Sequence, residues 1–202
     1  MPPKAKYTRE EIAEAAFQMA REKGIEAVVA RELGKRLGTS SSPIFTAFKN
    51  MEELQEEVRK MAMKEFETYV SDAINYAPIF KHVGMRIVQF ASNEPKLLQL
   101  LYMKEHKETQ SYEDLIFELG DTVEVCLESL EQEHELTREE ATLVFKQVWM
   151  FTFGICTMVA GKICHFSTEE VSKMLSREFQ GTLMLIKSGT FIDKQVNSVL
   201  QK

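Results

Sequence analysis

The sequence predicts an all-α protein of about nine helices, with a three-helix N-terminal domain over residues 1–50 and a larger helical domain over residues 51–202. Three observations predict it. Apolar residues recur at helical spacing in segment after segment. Ser or Thr followed three residues later by Glu marks helix starts at Thr8, Thr137 and Ser167. No segment alternates convincingly with a period of two.

Residues 2–7 read as a basic arm, and Thr8 with Glu11 opens the first helix. Ile12, Ala15, Ala16, Met19 and Ala20 share one face of it, and Lys23-Gly24 supplies the stop. Ile25 to Ala30 is predicted as a short extended link. Arg31 to Leu37 makes the second helix, with Leu33 and Leu37 inward, and Gly38 supplies the dihedral freedom of a tight turn. Thr39-Ser40-Ser41-Ser42 then offers hydroxyl caps to a third helix with Pro43 in its first turn, where its missing N–H has no intrahelical partner to lose. Ile44 and Phe48 form its buried face. That leaves Ser41, Ser42, Pro43, Phe45, Thr46 and Lys49 on the outer side.

Two short helices around a glycine break, the second with hydroxyls and aromatics at its start and a lysine at its end, make the pattern of a helix-turn-helix. In that motif the second helix enters the DNA major groove. Arg31, Ser40, Ser41, Ser42, Pro43, Phe45, Thr46 and Lys49 are the candidate DNA-binding residues. Hydroxyls hydrogen-bond to several base edges, the Pro43 ring and Phe45 edge suit thymine methyls, and the cations suit phosphates. Charge supports the division. Residues 1–50 carry a net +3, while residues 51–202 carry −9. A positive head favours phosphate contact, and a negative body disfavours DNA elsewhere.

Tyr7 to Leu54 resembles the N-terminal domain of TetR-family transcriptional regulators. The run Phe45-Thr46-Ala47-Phe48-Lys49-Asn50-Met51-Glu52-Glu53-Leu54 is similar to the family's aromatic-x-x-Phe-x-x-x-Glu-x-Leu segment. Phe45 stands where the family usually has a phosphate-reaching tyrosine, Ala47 where it has histidine or tyrosine, Met51 where it has lysine, and Ala30 where it has a threonine cap. Arg31, Lys35, Lys49 and the Lys4-Lys6-Arg9 arm are the alternative phosphate ligands.

A long fourth helix is predicted from Asn50, with Asn50 and Glu53 as its capping pair, to a stop at Ala77-Pro78. The resemblance implies that it is a lever between ligand and DNA. Pro78 to Asn93 is the fifth helix, Lys96 to His106 the sixth, Ser111 to His134 the seventh, and the Thr137 and Ser167 boxes open the eighth and ninth. Val148 to Ala160 is apolar nearly all round and must bury both faces, so a partner is expected, with Gly154, Gly161 and Gly181 as points of close helix approach. The resemblance implies a homodimer through the last two long helices. Trp149-x-x-x-Phe153-Gly154 is similar to a Trp-x-x-x-His-Gly segment of many family bodies. A two-fold dimer places its readers about one DNA turn, roughly 34 Å, apart on a pseudo-palindromic double-stranded operator.

For the body, Phe66, Tyr69, Phe90, Tyr102, Met103, Phe117, Trp149 and Phe153 are the candidate ligand-binding residues, lining a cavity for a small apolar or amphipathic ligand. The expected function is a ligand-responsive transcriptional repressor. The alternatives are a dimeric small-molecule-binding or redox-sensing protein with a weakened reader, and a metal-dependent helical-bundle enzyme. Glu131-x-x-His134 is half of a di-iron motif, but no second copy follows. Cys156, Cys164 and His165 lack zinc-finger spacing. No catalytic residues, metal or cofactor are expected. Cys126, Cys156 and Cys164 form no disulfide framework, and the N-terminus has no apolar signal core, so the expected setting is cytoplasmic. The uncharged run Val148 to Gly161 falls short of the roughly 18 residues of a membrane span, and no membrane partner is expected.

Overall fold

The structure, a computed structural model, describes residues 7–104, 111–112 and 120–189. Among the described residues there are nine α-helices and no strand: α1 Arg9–Lys23, α2 Ala30–Arg36, α3 Ser42–Ala47, α4 Met51–Ser71, α5 Ile79–Asn93, α6 Pro95–Tyr102, α7 Asp121–His134, α8 Arg138–Ala160 and α9 Thr168–Lys187. The chain groups into two compact units. The first draws on residues 1–69 and 90–109, the second on 70–89 and 110–202.

In the first unit the Thr8 box forms in full. Glu11 donates its N–H to Thr8 Oγ1 at 3.1 Å, and Thr8 donates its N–H to Glu11 Oε2 at 2.8 Å. α1 packs on α2, α3 and α6 and buries Ile12, Ala16 and Ala20. Leu54, Val58, Ala62 and Phe66, spaced by four along α4, are buried in a single row. Removing a large side chain of this kind from water stabilises a fold by roughly 1.5–3 kcal/mol. Farther along, Phe66 meets Phe90 and Tyr102 edge-on at 5.1 and 5.6 Å, and Tyr69 meets Phe90 at 5.3 Å. Arg21 of α1 donates its Nε–H to Glu94 at 2.8 Å and a second N–H to the other oxygen of that buried carboxylate. This pairing raises the Arg21 pKa above its ordinary value.

The local structure departs from the sequence expectation in several places. Ile25–Ala27 is a 3-10 turn rather than an extended link, closed by the Val28 N–H on the Ile25 carbonyl at 3.0 Å. α2 starts at Ala30 behind Val29, which gives no side-chain cap. The serine run does not cap α3 as predicted. Ser41 is the N-cap without a side-chain bond, and the closest substitute is the Ser42 N–H donating to Ser40 Oγ at 3.4 Å. α4 ends at Ser71, followed by a 3-10 turn at Asp72–Asn75 before Pro78, and α6 ends at Tyr102. Asn50 does cap α4, accepting the Glu53 N–H at 2.9 Å.

In the second unit α8 packs along α7 and α9, and the boxes at Thr137 and Ser167 both form. The predicted single helix from Ser111 to His134 is corrected. Gly120 has φ +62°, outside any right-handed helix, so α7 starts afresh at Asp121; residues 113–119 lie outside the described ones. Gly161 is likewise no mid-helix contact point but the C-cap of α8. With 23 residues, α8 is long and apolar enough by length and composition to cross a membrane. The run counted from Val148 missed this because the helix begins ten residues earlier. Its side chains from Ala141 to Ala160 include a buried series, among them Val144, Phe145, Val148, Trp149 and Ile155.

Gly34 of α2 carries the tightest constraint in the first unit. A Cβ there would lie 3.0 Å from the Thr39 carbonyl oxygen and 3.1 Å from the backbone of Ser40, atoms that cannot rotate away. Gly34→Ala should therefore destabilise the first unit by about 1–3 kcal/mol, seen as a lower midpoint in urea unfolding followed by circular dichroism.

Candidate functional site

The entrance to α3 is built from backbone. Gly38 takes φ +65°, the Thr39 N–H closes on the Gly34 carbonyl at 2.9 Å, and the Leu37 and Gly38 N–H groups bond back to Leu33 and Lys35. Tyr7 donates its hydroxyl to the Leu37 carbonyl. Leu33, Ile44 and Phe48 are buried beneath this turn, as their spacing predicts. Arg9 secures the far end of α3. It donates to the Ala47 carbonyl at 2.6 Å and to Glu53 at 2.9 Å, and its guanidinium lies 3.9 Å from the centre of the Phe48 ring. Glu53 in turn accepts the Lys49 N–H at 2.6 Å. That bond and Arg9 hold its pKa below the ordinary carboxylate value.

The predicted DNA-binding residues fall mostly on one stretch. Ser40, Ser42, Phe45, Thr46 and Lys49 are exposed, and Ser41 and Pro43 are half-buried. Phe45 is 51% exposed, a large fraction for an aromatic side chain in a motif whose neighbours Ile44 and Phe48 are buried. Thr46 donates its hydroxyl to the Ser42 carbonyl at 3.0 Å, leaving its oxygen lone pairs outward. Arg31 is exposed on the first turn of α2, a separate element. The cations divide into engaged and open groups. Lys35 pairs with Glu32 at 2.7 Å and Arg36 with Glu22 at 2.7 Å, so phosphate contact by either competes with a carboxylate. Arg9 is consumed inside the first unit and is not an arm residue, a correction to its sequence-based placement; its partners come from α3 and α4, which spacing alone does not bring near.

The predicted ligand-binding residues separate. Phe66, Tyr69, Phe90 and Tyr102 pack together in the first unit as described above, with Met103 exposed at the end of α6. Trp149 is buried and Phe153 half-buried on α8 in the second unit, and Phe117 lies outside the described residues. A cavity of about 420 Å³ in the second unit is lined by other side chains. Pro78 and α5 contribute Phe80, Lys81 and Gly84. α7 contributes Ser129, Leu130, Glu133 and His134, α8 Val148, and α9 Leu175, Ser176, Phe179, Gln180 and Leu183. Phe80 faces Phe145 at 5.8 Å and Phe179 at 5.7 Å. Only their apolar periodicity marked these residues in the sequence, and core residues share that signal.

The polar groups behind the competing readings have structural partners. Glu131 accepts from Arg138 at 3.1 Å, and His134 lies 5.1 Å from the Phe179 ring. Among the described residues no three His, Cys, Asp or Glu side chains group closely enough to hold a metal. Burial pushes the Cys126 and Cys156 thiols up to about 12, while Cys164 is exposed beyond the end of α8.

Two short helices meeting at a glycine turn, the second with hydroxyls and an open lysine on its outer side, form a helix-turn-helix of the DNA-binding kind. Residues 12–58 match the family of bacterial regulatory proteins named tetR, so the N-terminal segment is similar to the DNA-binding domain of that family. Its whole fold is similar to a protein of unknown function from Rhodococcus sp. RHA1 (TM-score 0.64, 14% identity, 91% of this chain and 97% of that one). It is also similar to the fatty acid degradation regulator FadR from Bacillus halodurans (0.54, 18%, 87% and 94%) and to a transcriptional regulator from Rhodococcus sp. Rha1 (0.55, 15%, 88% and 97%). At these identities the likeness establishes the fold alone. No curated protein sequence matches the chain.

Thiol chemistry gives a direct check on the second unit. At pH 8 an aromatic disulfide reagent should titrate one fast thiol per folded chain, removed by Cys164→Ser, and three after denaturation. Because the folded pKa of Cys126 and Cys156 lies above the unfolded value of 9.0, the stability they contribute is complete below pH 9. It should fall as the pH rises from 9 toward 12, measurable as a declining unfolding midpoint.

Proposed function

We propose that the protein is a homodimeric repressor that binds a pseudo-palindromic operator through residues 1–50 and is controlled by a small apolar or amphipathic ligand held in residues 51–202. The observation that carries the proposal is the exposed face of the α3 stretch, Ser40, Ser42, Phe45, Thr46 and Lys49, presented on a buried Ile44–Phe48 underside. The exposed side of α8 and α9 supports the dimer. Met150 is 54% exposed and Met184 72%. A Cβ added at Gly154 or Gly181 meets nothing within 4 Å, so a second helix pair has room to approach closely. The cavity beneath α5, α7 and α9 supports a ligand of modest size. Such a protein works in the cytoplasm, on DNA.

Control operates as a population shift. The ligand favours a pose of α4 that holds the two readers at the wrong separation, and by linkage DNA weakens ligand binding by the same factor. Base choice comes from the hydroxyl and aromatic edges of α3, and affinity from Arg31, Lys49 and whichever of Lys35 and Arg36 leave their acids for phosphate.

Binding to a duplex selected from random sequence should weaken steeply as salt rises, and absence of binding at low salt by an intact dimer sinks the reading. Thr46→Ala should change the selected sequence, with a cost of about 1–3 kcal/mol at one base step; unchanged affinity and preference mean that this face does not read bases. Met184→Asp should produce monomers by sedimentation and reduce operator affinity more than tenfold while leaving α3 intact.

A further inference from the structure

We propose that the cavity of the second unit takes a small amphipathic carboxylate, with its apolar part against Phe80, Leu130, Leu175 and Phe179 and its charge on the Lys81 ammonium. This deepens the ligand-controlled reading given above and rests on it. The cavity wall is apolar over most of its area, and its one ammonium and one carboxylate, Lys81 and Glu133, do not form an ion pair. Glu133, the acid among the lining residues, is exposed and already accepts the Ser129 hydroxyl at 2.8 Å. Lys81 is half-buried on the opposite helix, α5, and among the described residues no carboxylate pairs with it. His134 is turned to the Phe179 ring at 5.1 Å.

A neutral ligand that fills the cavity takes water from the Lys81 ammonium, a cost that a cationic ligand compounds. A carboxylate reverses it through a charge-assisted hydrogen bond in a partly dry site. Gly84, one turn along α5 from Lys81, lets Leu175 of α9 approach the helix backbone closely. A Cβ there would come within 3.2 Å of Leu175 Cδ1 and 3.8 Å of Thr152 Oγ1. The site therefore combines one unpaired ammonium with a mostly apolar wall.

Trp149, the single tryptophan, reports on occupancy. It stacks on Phe145 at 6.4 Å, and Phe145 faces the cavity-lining Phe80 at 5.8 Å. The full chain, as wild type and as Lys81→Met, is titrated with decanoate and with 1-decanol while Trp149 emission is followed. Wild type should bind decanoate saturably and at least tenfold more tightly than decanol. Lys81→Met, or Lys81→Gln if the first variant fails to fold, should lose that preference while keeping its decanol affinity. Equal affinities in wild type, a preference that survives in the variant, or no saturable binding of decanoate overturns the proposal. A parallel duplex-binding measurement separates the two readings. Decanoate binding that follows Lys81 but leaves duplex affinity unchanged supports the carboxylate site and overturns ligand control of DNA binding.

Discussion

The placement of α3 depends on a close backbone contact at Gly34. The turn after α2 folds back so far that the Thr39 and Ser40 backbone occupies the space a side chain at position 34 would need. The Thr39 N–H then satisfies the Gly34 carbonyl, and Gly38 absorbs the positive φ that reverses the chain. Once this turn is closed, Ile44 and Phe48 can reach Leu33 and the apolar face of α1, and the outer side of α3 follows by helical geometry. Arg9 completes the arrangement from the other end, where one guanidinium satisfies a free helix-end carbonyl, an acid of α4 and an aromatic face.

That economy has an electrostatic consequence. Several cations of the head are occupied by neighbouring acids, Arg36 by Glu22, Lys35 by Glu32 and Arg9 by Glu53. Fewer cations of the head stand free for phosphate than a count of basic residues implies, because such surface pairs, although weak, must exchange partners to hold phosphate. Phenylalanine at 45, alanine at 47 and methionine at 51 bring no hydrogen-bond donor for phosphate to this surface. In the proposed reading, sequence choice rests on base edges and methyl groups, and the phosphate contacts set affinity.

Each of the two units shows one use of the same sequence signal. Aromatic and methionine residues at helical spacing mark both packed interior and cavity wall, since both exclude water. Phe66, Tyr69, Phe90 and Tyr102 interlock edge to face, which fills space. Phe80 and Phe179 also touch, yet they border the open volume of the cavity. Charge, unlike apolarity, distinguishes the two places: the cavity wall includes Lys81 and Glu133, which do not pair with each other.

The sequence alone determined the local features. The three Ser/Thr–Glu boxes, the apolar period of α1 and α4, the glycine at the helix-turn-helix turn and the inward pair Ile44–Phe48 are written in spacings of three and four residues, and each formed. The all-α class followed from them, and the serine, phenylalanine and threonine on the outside of α3 were legible as whatever the inward pair left over. Tertiary structure alone decided which distant residues meet. The fate of Arg9, the separation of Phe66 and Tyr69 from Trp149 and Phe153, and the cavity at Lys81 depend on contacts between helices tens of residues apart. The break at Gly120 escaped for a different reason, since a glycine reads the same in sequence whether its φ is negative or positive. Periodicity reports which face of a helix avoids water; it carries no information about which other face comes to cover it.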